Sequence, residues 1–319
     1  MPHFPAFDCA GVIPAALLPF HADLSIDAAS YRAHLRDLGG VRGISAITTN
    51  AHASEVASCD PAEQEAVLAL SMEEVGDRIP VVAGVYSDGT LQAMRLAKAA
   101  AAGGASALLV FPPTVLARGT QARPECLADH VRAIAAATDL PLILFQYPLA
   151  SGLTYPLATL QELAEEVPTI RAIKDWSGDP TVAERHVVAL SALRRPVNVL
   201  STHSAWLFPS LVTGCQGLLS GSGSVIAGLQ VALFEAVQRG DMAEAQALNV
   251  RIRPTTEVFY AEPFFDMHNR MKEALVLLGR LPRAVVRPPL KKISAAEIGR
   301  IGEALAAAGL MPAKRLAAE

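Results

Sequence analysis

Cysteine is scarce in this sequence, and its placement excludes two common uses of the residue. The chain of 319 residues has only four cysteines, Cys9, Cys59, Cys126 and Cys215. They form no CxxC pair and show no metal-ligand spacing, so neither a disulfide framework nor a zinc site is indicated. We therefore expect a reducing, cytoplasmic environment and a protein that needs no metal or other cofactor.

Strongly basic segments and long apolar runs are also absent. The formal net charge is −4 and no basic run is longer than the pair Lys291-Lys292, which argues against a nucleic-acid or anionic-membrane partner. No apolar stretch approaches the roughly 18 residues needed to span a bilayer. The first residues lack the basic segment and long apolar run of a secretion signal. The composition does not exclude small neutral or anionic metabolites as ligands.

Short apolar runs alternate along the chain with alanine-rich segments that are compatible with helices. This rhythm is typical of repeated βα units around a parallel sheet. Asp60-Pro61, for example, supplies a helix N-cap and a proline for the first turn. No GxGxxG turn follows the first strand candidate, which disfavours a doubly wound open sheet, so we predict a (β/α)8 TIM barrel of the α/β class. The eight strand candidates are Val12–Leu18, Gly43–Thr48, Pro80–Val85, Ala107–Phe111, Leu140–Phe145, Ile170–Lys174, Val197–Ser201 and Gly217–Ser220.

After Ile226 the strand pattern stops and a helical pattern takes over. The sequence thus predicts a barrel domain over residues 1–228, which carries the active site, and a C-terminal helical domain over residues 229–319. The predicted helical segments are Gln230–Gln238, Met242–Ile252, Thr256–Phe264, Met267–Leu278 and Ala295–Ala308.

Lys174 lies at the end of the sixth strand candidate, where a charged side chain is hard to explain as packing. An ammonium group placed there loses hydration, so its pKa falls and the neutral amine becomes a nucleophile toward a carbonyl. The alternative is a surface lysine, or one that forms a salt bridge beside Asp175.

The loops after the other strands carry further polar residues, and in a TIM barrel the chemistry sits at these carboxyl ends. Together they describe a pocket with one lysine, two histidines and many small donors. The set lacks the clustered carboxylates and histidines that a catalytic metal needs. The segments are Thr48–Glu55, Pro112–Thr114, Phe145–Pro148, Lys174-Asp175, Thr202–Ser204 and Ser220–Ser224.

Eight motifs, in order and spacing, resemble those of the dihydrodipicolinate synthase and N-acetylneuraminate lyase family. They are GVIPAALLPF, a small-residue loop that ends at Glu55, VVAGVYSDGT, LLVFPP, LPLILFQYP, AIKDWSGD, GLLSGSGSV and RPPL, and the resemblance runs from about Gly11 to Leu310. The resemblance implies a barrel with a C-terminal helical domain, assembled as a homotetramer or dimer. It also implies a class I lyase or aldolase, in which a barrel lysine forms a Schiff base with pyruvate or another 2-oxo acid. Lys174 matches that lysine.

Several positions depart from the family pattern. His52 replaces a relay threonine, Phe145 replaces the tyrosine that delivers protons to the iminium, and Pro113-Thr114 replaces a tyrosine pair. Ala150 stands where synthases have an arginine. A phenyl ring cannot transfer a proton, so the usual tyrosine relay is missing and the sequence predicts a protein that is not a true dihydrodipicolinate synthase.

His52 is the first candidate for moving protons near Lys174, because imidazole titrates near neutral pH. The alternative is a loop histidine held for structural reasons. Tyr147 lies two residues after Phe145 on the predicted strand, which returns it to the same face, so its hydroxyl is the second candidate. It could equally pack below the pocket or meet a neighbouring subunit.

The remaining candidates would bind substrate. The backbone N–H groups of the His52-Ala53-Ser54 loop and the Ser54 hydroxyl would hold the carboxylate of the 2-oxo acid, and Glu55 would be a buried acceptor that holds this loop. His203 and Ser204 occupy the place where the family binds sugar hydroxyls or the second substrate, although His203 could also be an exposed loop residue. The Ser220–Ser224 run is open to three interpretations: pocket floor, turn or phosphate loop. The other predicted pocket residues are Thr114, Phe145, Leu219 and Ser220.

These observations favour a Schiff-base-forming lyase or aldolase that acts on pyruvate or a related 2-oxo acid. A dehydratase could use the same imine to expel water from a deoxy sugar acid. A relative that binds 2-oxo acids without turnover is the third alternative, since the tyrosine relay is missing.

Overall fold

The computed structural model describes residue 4, residues 7–202 and residues 204–311. In this part of the chain eight parallel strands form a single sheet, in the order β1-β8-β7-β6-β5-β4-β3-β2. The strands are β1 Gly11–Pro14, β2 Ile47–Thr49, β3 Val81–Val85, β4 Ala107–Val110, β5 Leu142–Gln146, β6 Ile170–Asp175, β7 Asn198–Ser201 and β8 Gly217–Ser220.

The two ends of the sheet meet and close it into a barrel. Val12 pairs with Ile44 and Ala15 with Thr48 in isolated parallel bridges. The amide of Ala16 donates a hydrogen bond to the carbonyl of Thr48 at 2.9 Å, which ties β1 to β2. The predicted TIM barrel is therefore confirmed.

A helix follows each strand of the barrel, and three more helices follow at the C-terminal side. Asp60 caps α2 by accepting from the amide of Glu63 at 2.8 Å, with Pro61 in the first turn as predicted. None of the described helices is long and apolar enough to cross a membrane. The helices are α1 Ala28–Gly39, α2 Pro61–Val75, α3 Thr90–Ala102, α4 Pro124–Ala135, α5 Leu157–Glu166, α6 Pro180–Ser191, α7 Leu207–Val212, α8 Gly223–Gln238, α9 Met242–Phe259, α10 Met267–Leu277 and α11 Ala295–Ala307.

The C-terminal helices differ from the sequence prediction in two respects. Helix α9 ends at Phe259, whereas the predicted segment Thr256–Phe264 extended further. Helix α9 continues through Pro254, where the sequence predicted a break between two segments. Proline removes one backbone donor from a helix, but Ile252 and Phe259 on either side of it are buried in the core, and their packing outweighs that loss. The predicted domain boundary at residue 228 lies inside α8, and the division into two domains stays a prediction.

Alternate residues of β6 face opposite sides of the barrel wall. Ala172 packs in the interior of the barrel, whereas Ile173 packs between the sheet and the outer helices. Because side chains alternate along a strand, Lys174 lies on the interior face with Ala172. Asp175 lies on the helix side, where it contacts His186 of α6. This alternation places the lysine at the carboxyl end of the barrel interior.

Candidate active site

The Lys174 side chain is buried and only 4% exposed. It lies opposite Phe145 in the parallel register of β5 and β6, and its Nζ is 4.0 Å from the centroid of the Phe145 ring. Burial lowers the pKa of Lys174 to about 7, because an ammonium group loses solvation away from water. A large fraction of this lysine is therefore a neutral amine at physiological pH.

Asp175 does not pair with Lys174. Its Oδ2 lies 2.5 Å from His186 Nδ1, and its Oδ1 accepts a hydrogen bond from the amide of Ser177 at 2.7 Å. Across the described ranges, Lys174 forms no ion pair with a carboxylate. The interpretation of Lys174 as a surface or salt-bridged lysine is therefore wrong, since the strand turns its neighbouring acid to the other face.

A cavity of about 510 Å³ opens at the carboxyl end of the barrel, beside Lys174. Barrel strands and loops form one side of it, and residues of the C-terminal helices and their connections form the other. Its described lining consists of Ala15, His52, Ala53, Phe145, Pro148, Lys174, Trp176, Gly178, Thr202, Ala205, Gly221, Tyr260, Glu262, Phe264, Met267, His268 and Met271.

His52 and Tyr147 form a hydrogen-bonded pair in the site. The Tyr147 hydroxyl lies 2.6 Å from His52 Nε2. Burial lowers the pKa of His52 well below its usual value, and the charges of Lys174 and His268 lower it further. Burial raises the pKa of Tyr147 well above its usual value. Both groups are therefore uncharged at neutral pH, and either can accept or donate the proton between them.

The two members of this pair differ in their access to the cavity. His52 lines it, whereas Tyr147 is 8% exposed and does not. The rings of Phe145 and Tyr147 are 4.6 Å apart, which confirms that they lie on the same face. Tyr147 therefore contacts the cavity through His52.

The loop after β2 forms a short 3₁₀ helix, His52–Ser54. The Ser54 hydroxyl donates to the carbonyl of Ala16 at 2.8 Å and accepts from the amide of Ala51 at 3.1 Å. The Ser54 amide donates to the carbonyl of Ala51 at 3.0 Å. Ser54 thus holds the loop, contrary to the expectation that it binds substrate. The amides of His52 and Ala53 stand at the N-terminal end of this helix, where no intrahelical acceptor reaches them.

Glu55 is a buried acceptor that holds the loop, as predicted. Its Oε1 accepts a hydrogen bond from Lys272 Nζ of α10, and its Oε2 accepts from the amide of Arg287 at 3.1 Å. Lys272 also donates to the carbonyl of Val285 at 2.7 Å. The carboxylate therefore joins the active-site loop to the C-terminal helices.

Besides Ser54, the predicted substrate-binding residues Thr114, Leu219 and Ser220 are not among those that line the cavity. Thr114 is exposed, and its amide and hydroxyl donate to Asp88 at 2.5 and 2.6 Å. Leu219 and Ser220 are buried inside the barrel, and at the end of β8 Gly221 lines the cavity instead. The cavity begins at a different position along each strand, and the sequence alone does not show that position.

Two further predictions concern the loop after β7. His203 lies outside the described residues. Ser204 begins a short 3₁₀ helix, Ser204–Trp206. The following residue, Ala205, lines the cavity.

Sequence reasoning missed an aromatic side of the cavity. The Trp176 and Phe264 rings stack with centroids 5.0 Å apart and an interplanar angle of 22°. Tyr260 stacks on Phe264 at 5.8 Å and 25°. Trp176 could have been found from its position two residues after Lys174. Tyr260 and Phe264 carried no local signal, because only the fold brings them to the barrel.

His268 of α10 is a second missed residue. It lines the cavity, and its Nδ1 is buried with no hydrogen-bond partner among the described residues. Burial lowers the pKa of His268 to about 3, so the imidazole is neutral at physiological pH. Within the described ranges, no group of three or more His, Cys, Asp or Glu side chains is placed to hold a metal ion.

Comparison with known proteins shows that the sequence is similar to those of a large family. The sequence model of the dihydrodipicolinate synthetase family matches residues 8–308. A probable 5-dehydro-4-deoxyglucarate dehydratase of Saccharopolyspora erythraea is 32% identical over 301 residues, which cover 92% of each chain. The 4-hydroxy-tetrahydrodipicolinate synthase of Kineococcus radiotolerans is 31% identical over 305 residues, 95% of this chain and 94% of that enzyme.

A solved structure has the same fold. It is that of YagE, a prophage protein of E. coli K12 from the dihydrodipicolinic acid synthase family, in complex with pyruvate. The TM-score is 0.87 at 23% identity, and the match covers 95% of this chain and 99% of that one. At this level of identity the similarity establishes the fold.

Proposed function

Because the chain belongs to the dihydrodipicolinate synthetase family and is a lyase of the class I aldolase type, we propose that Lys174 forms its Schiff base with a 2-oxo acid such as pyruvate. The observation that carries this proposal is a buried lysine with a pKa of about 7 beside a cavity of about 510 Å³. A neutral amine in such a place is an activated nucleophile.

In the proposed reaction the Lys174 amine adds to the C2 carbonyl of the 2-oxo acid. The resulting carbinolamine loses water to give an iminium ion. This ion accepts the electron pair of a bond to C3, so that a C3–H or C3–C4 bond can break to form an enamine. Protonation of the enamine at C3, followed by hydrolysis, returns the amine and releases the 2-oxo acid.

We propose that the amides of His52 and Ala53 bind the carboxylate of the 2-oxo acid. Both residues line the cavity, and their N–H groups stand at the start of the 3₁₀ helix His52–Ser54. Backbone amides in such a position are suitable donors for an anion. This role does not depend on the side chains that differ from the family pattern.

His52 is the proposed acid and base, with Tyr147 as the residue that positions it. Carbinolamine dehydration, bond cleavage and imine hydrolysis each move a proton. Neutral His52 can accept a proton at the cavity, and the 2.6 Å hydrogen bond to the Tyr147 hydroxyl holds its ring in place. The pair thus takes over the task of the tyrosine that Phe145 replaces.

Reductive trapping tests the Schiff base. The protein is incubated with pyruvate and borohydride, and peptide mass spectrometry should find the reduced adduct on Lys174. Lys98, an exposed lysine of α3, serves as an internal control and should stay unmodified. Absence of an adduct at Lys174 with pyruvate and with a panel of 2-oxo acids contradicts the imine mechanism.

Proton exchange at the pyruvate methyl group tests the relay separately. His52→Ala should slow exchange by about 10²-fold or more, because general acid and base catalysis contributes on that order. Restoring the phenol with Phe145→Tyr should make the loss caused by His52→Ala smaller. Unchanged exchange in His52→Ala removes this residue from the mechanism.

A dehydratase is the second candidate function. The relative from Saccharopolyspora erythraea, named as a probable 5-dehydro-4-deoxyglucarate dehydratase, favours it. The same Lys174 imine would then promote loss of a hydroxyl group as water. Incubation with 5-dehydro-4-deoxyglucarate, followed by mass spectrometry, distinguishes loss of water from carbon-bond cleavage.

We further propose a cytoplasmic homo-oligomer, a dimer or tetramer, that binds its small 2-oxo acid without a metal or other cofactor. The four cysteines are all free thiols, which agrees with a reducing compartment. Light scattering at several protein concentrations measures the oligomeric state. A monomer at all concentrations contradicts that part of the proposal.

A further inference from the structure

Building on the Schiff-base function proposed above, we propose that the part of the substrate beyond its 2-oxo acid is an uncharged aromatic group. It would bind against the stacked rings of Trp176, Phe264 and Tyr260, which we call the aromatic wall. The enzyme would then cleave or form the bond between pyruvate and an aromatic aldehyde.

The aromatic wall lies next to the reacting groups. The Trp176 ring centroid is 6.2 Å from that of Phe145, whose face lies under Lys174 Nζ. It is also 6.3 Å from the His52 ring. Phe264 and Tyr260 extend the stack away from the barrel toward the C-terminal helices. A planar group attached to C4 of a Lys174-bound substrate can therefore reach these rings.

The rest of the distal lining is also apolar. Met267 and Met271 of α10 line the cavity together with Pro148 after β5. Thioether side chains are flexible and make favourable contacts with aromatic rings. Aromatic rings gain from offset or edge contacts with other rings beyond the burial of their area. This surface is suited to a flat hydrophobic group.

The charges of the lining disfavour an anionic distal group. Among the described residues that line the cavity, Lys174 is the only one whose side chain can be cationic at neutral pH, and in the imine its nitrogen is bonded to C2 of the 2-oxo acid. Glu262 is exposed at the edge of the lining and would repel a second carboxylate or a phosphate. The Tyr260 hydroxyl already accepts the amide of Ser222 at 3.0 Å. A sugar acid with several hydroxyl groups would bury them against rings and thioethers, at a cost in desolvation.

The reaction balances for a 4-aryl-4-hydroxy-2-oxobutanoate. Once the Lys174 iminium has formed at C2, a base takes the proton of the C4 hydroxyl. The C3–C4 electron pair moves to the iminium, so that C4 leaves as an aromatic aldehyde and an enamine remains. The enamine gains a proton at C3, and water hydrolyses the imine to give pyruvate and the free lysine. No oxidant or reductant takes part.

Substrate preference tests the inference in the direction of bond formation. The protein is incubated with pyruvate and one of three aldehydes: benzaldehyde, glyceraldehyde or the anion glyoxylate. Products are quantified by liquid chromatography and mass spectrometry. The expected kcat/KM is at least about tenfold higher with benzaldehyde than with the other two aldehydes. One buried methylene group already gives about that much discrimination, and a buried ring removes more apolar surface from water. Equal or higher values with glyceraldehyde or glyoxylate overturn the proposal.

A pair of adjacent variants localises the effect. Phe264→Leu should raise the KM for benzaldehyde about tenfold. Phe265→Leu is the matched control, because Phe265 is 61% exposed and is not among the cavity-lining residues. It should leave the KM unchanged. Equal effects of the two variants contradict an aromatic site at Phe264.

A binding measurement keeps this inference separate from the imine mechanism. In Lys174→Ala no Schiff base can form, so calorimetry reports noncovalent binding alone. We expect 4-phenyl-2-oxobutanoate to bind at least about tenfold more tightly than 2-oxobutanoate, and Phe264→Leu to reduce that difference. Equal affinities overturn the aromatic site whatever the trapping experiment shows. If no pyruvate adduct forms but the aromatic acid still binds preferentially, the Schiff-base mechanism is contradicted and the aromatic site is not.

Discussion

Two buried lysines of this chain have opposite surroundings. Lys174 is 4% exposed and Lys272 is fully buried, and each Nζ lies over an aromatic ring, at 4.0 Å from Phe145 and 4.3 Å from Phe20. Lys272 also donates to the Glu55 carboxylate and to a backbone carbonyl. Lys174 forms no ion pair with a carboxylate in the described part of the chain.

This difference in partners separates a structural lysine from the lysine that we propose as the nucleophile. Burial lowers the pKa of Lys272, and the charge and hydrogen bond of Glu55 oppose that effect. Burial acts without such opposition on Lys174, whose pKa falls to about 7. Burial alone therefore does not identify a nucleophile, because the missing counter-charge is the second requirement.

The sharpest test of the comparison is removal of the Lys174 amine, the proposed nucleophile. We expect Lys174→Met to lower turnover by at least about 10³-fold, since loss of a covalent nucleophile removes the whole catalytic route. The measurement is pyruvate-dependent consumption of an aldehyde, or proton exchange at the pyruvate methyl group. Lys98→Met, at an exposed site, is the matched control and should retain full activity. Substantial activity in Lys174→Met contradicts the contrast between the two lysines.

The structural lysine should affect folding instead. Lys272→Met leaves Glu55 buried without its cation, so we expect the free energy of unfolding to fall by about 3–5 kcal/mol. The double variant Lys272→Met/Glu55→Met removes both charges and should recover much of that loss. Urea unfolding followed by circular dichroism measures both. A single variant as stable as the parent contradicts a buried ion pair at this position.

Removal of the reactive lysine should have the opposite effect on stability. The pKa of Lys174 is about 7 in the folded protein and close to its ordinary value of 10.5 when unfolded. The unfolded chain therefore binds more protons between these values, and the parent protein gains stability from this group as the pH rises through that window. Below pH 7 the cost is fully present, so Lys174→Met should be more stable there than the parent.

The pH dependence of that gain is the measurable quantity. The advantage of Lys174→Met should shrink by about 1.4 kcal/mol per pH unit above pH 7 and vanish near the unfolded pKa. Unfolding curves of parent and variant at about pH 7 and pH 9 test this. A constant difference between the two curves indicates that the cost comes from packing, not from charge.

The smallest effect concerns the rate at which the imine forms. Only the neutral amine attacks a carbonyl, so the initial rate of reductive trapping should rise with pH and level off, with a midpoint at about 7. An ordinary lysine would give a midpoint above 10. Trapping with cyanoborohydride and pyruvate over a range of pH measures it, and the Phe145→Tyr variant shows whether the ring under Nζ shifts the midpoint.

Local patterns were sufficient for much of the fold. Short apolar runs at regular spacing predicted all eight strands. Parallel strands are buried on both faces, so they consist mainly of consecutive apolar residues. The continuous α9 was not predicted, since Pro254 is a strong local signal for a break and burial of the surrounding helix is not visible locally. Lys174 could be found because a charge that ends an apolar run is itself a local anomaly.

The site was less predictable than the fold. His52 and Tyr147 were proposed separately, and only the structure places their polar atoms 2.6 Å apart. Ser54 was expected at the substrate, but its hydroxyl donates to Ala16, a residue far away in the sequence. Thr114 carries a polar side chain at the correct end of a strand, yet it points to Asp88. Hydrogen-bond partners depend on distances between loops, which no sequence pattern encodes.

By itself, the sequence determined that this chain builds a barrel, that Lys174 lies at the carboxyl end of its sixth strand, and that the usual tyrosine is replaced by Phe145. These are consequences of periodicity and position along single strands. Only the tertiary structure decided that Asp175 faces away from the lysine, that Glu55 takes Lys272 as its partner, and that helices far along the chain complete the cavity. Electrostatic and packing energies depend on separation in space, so they are decided when the chain has folded.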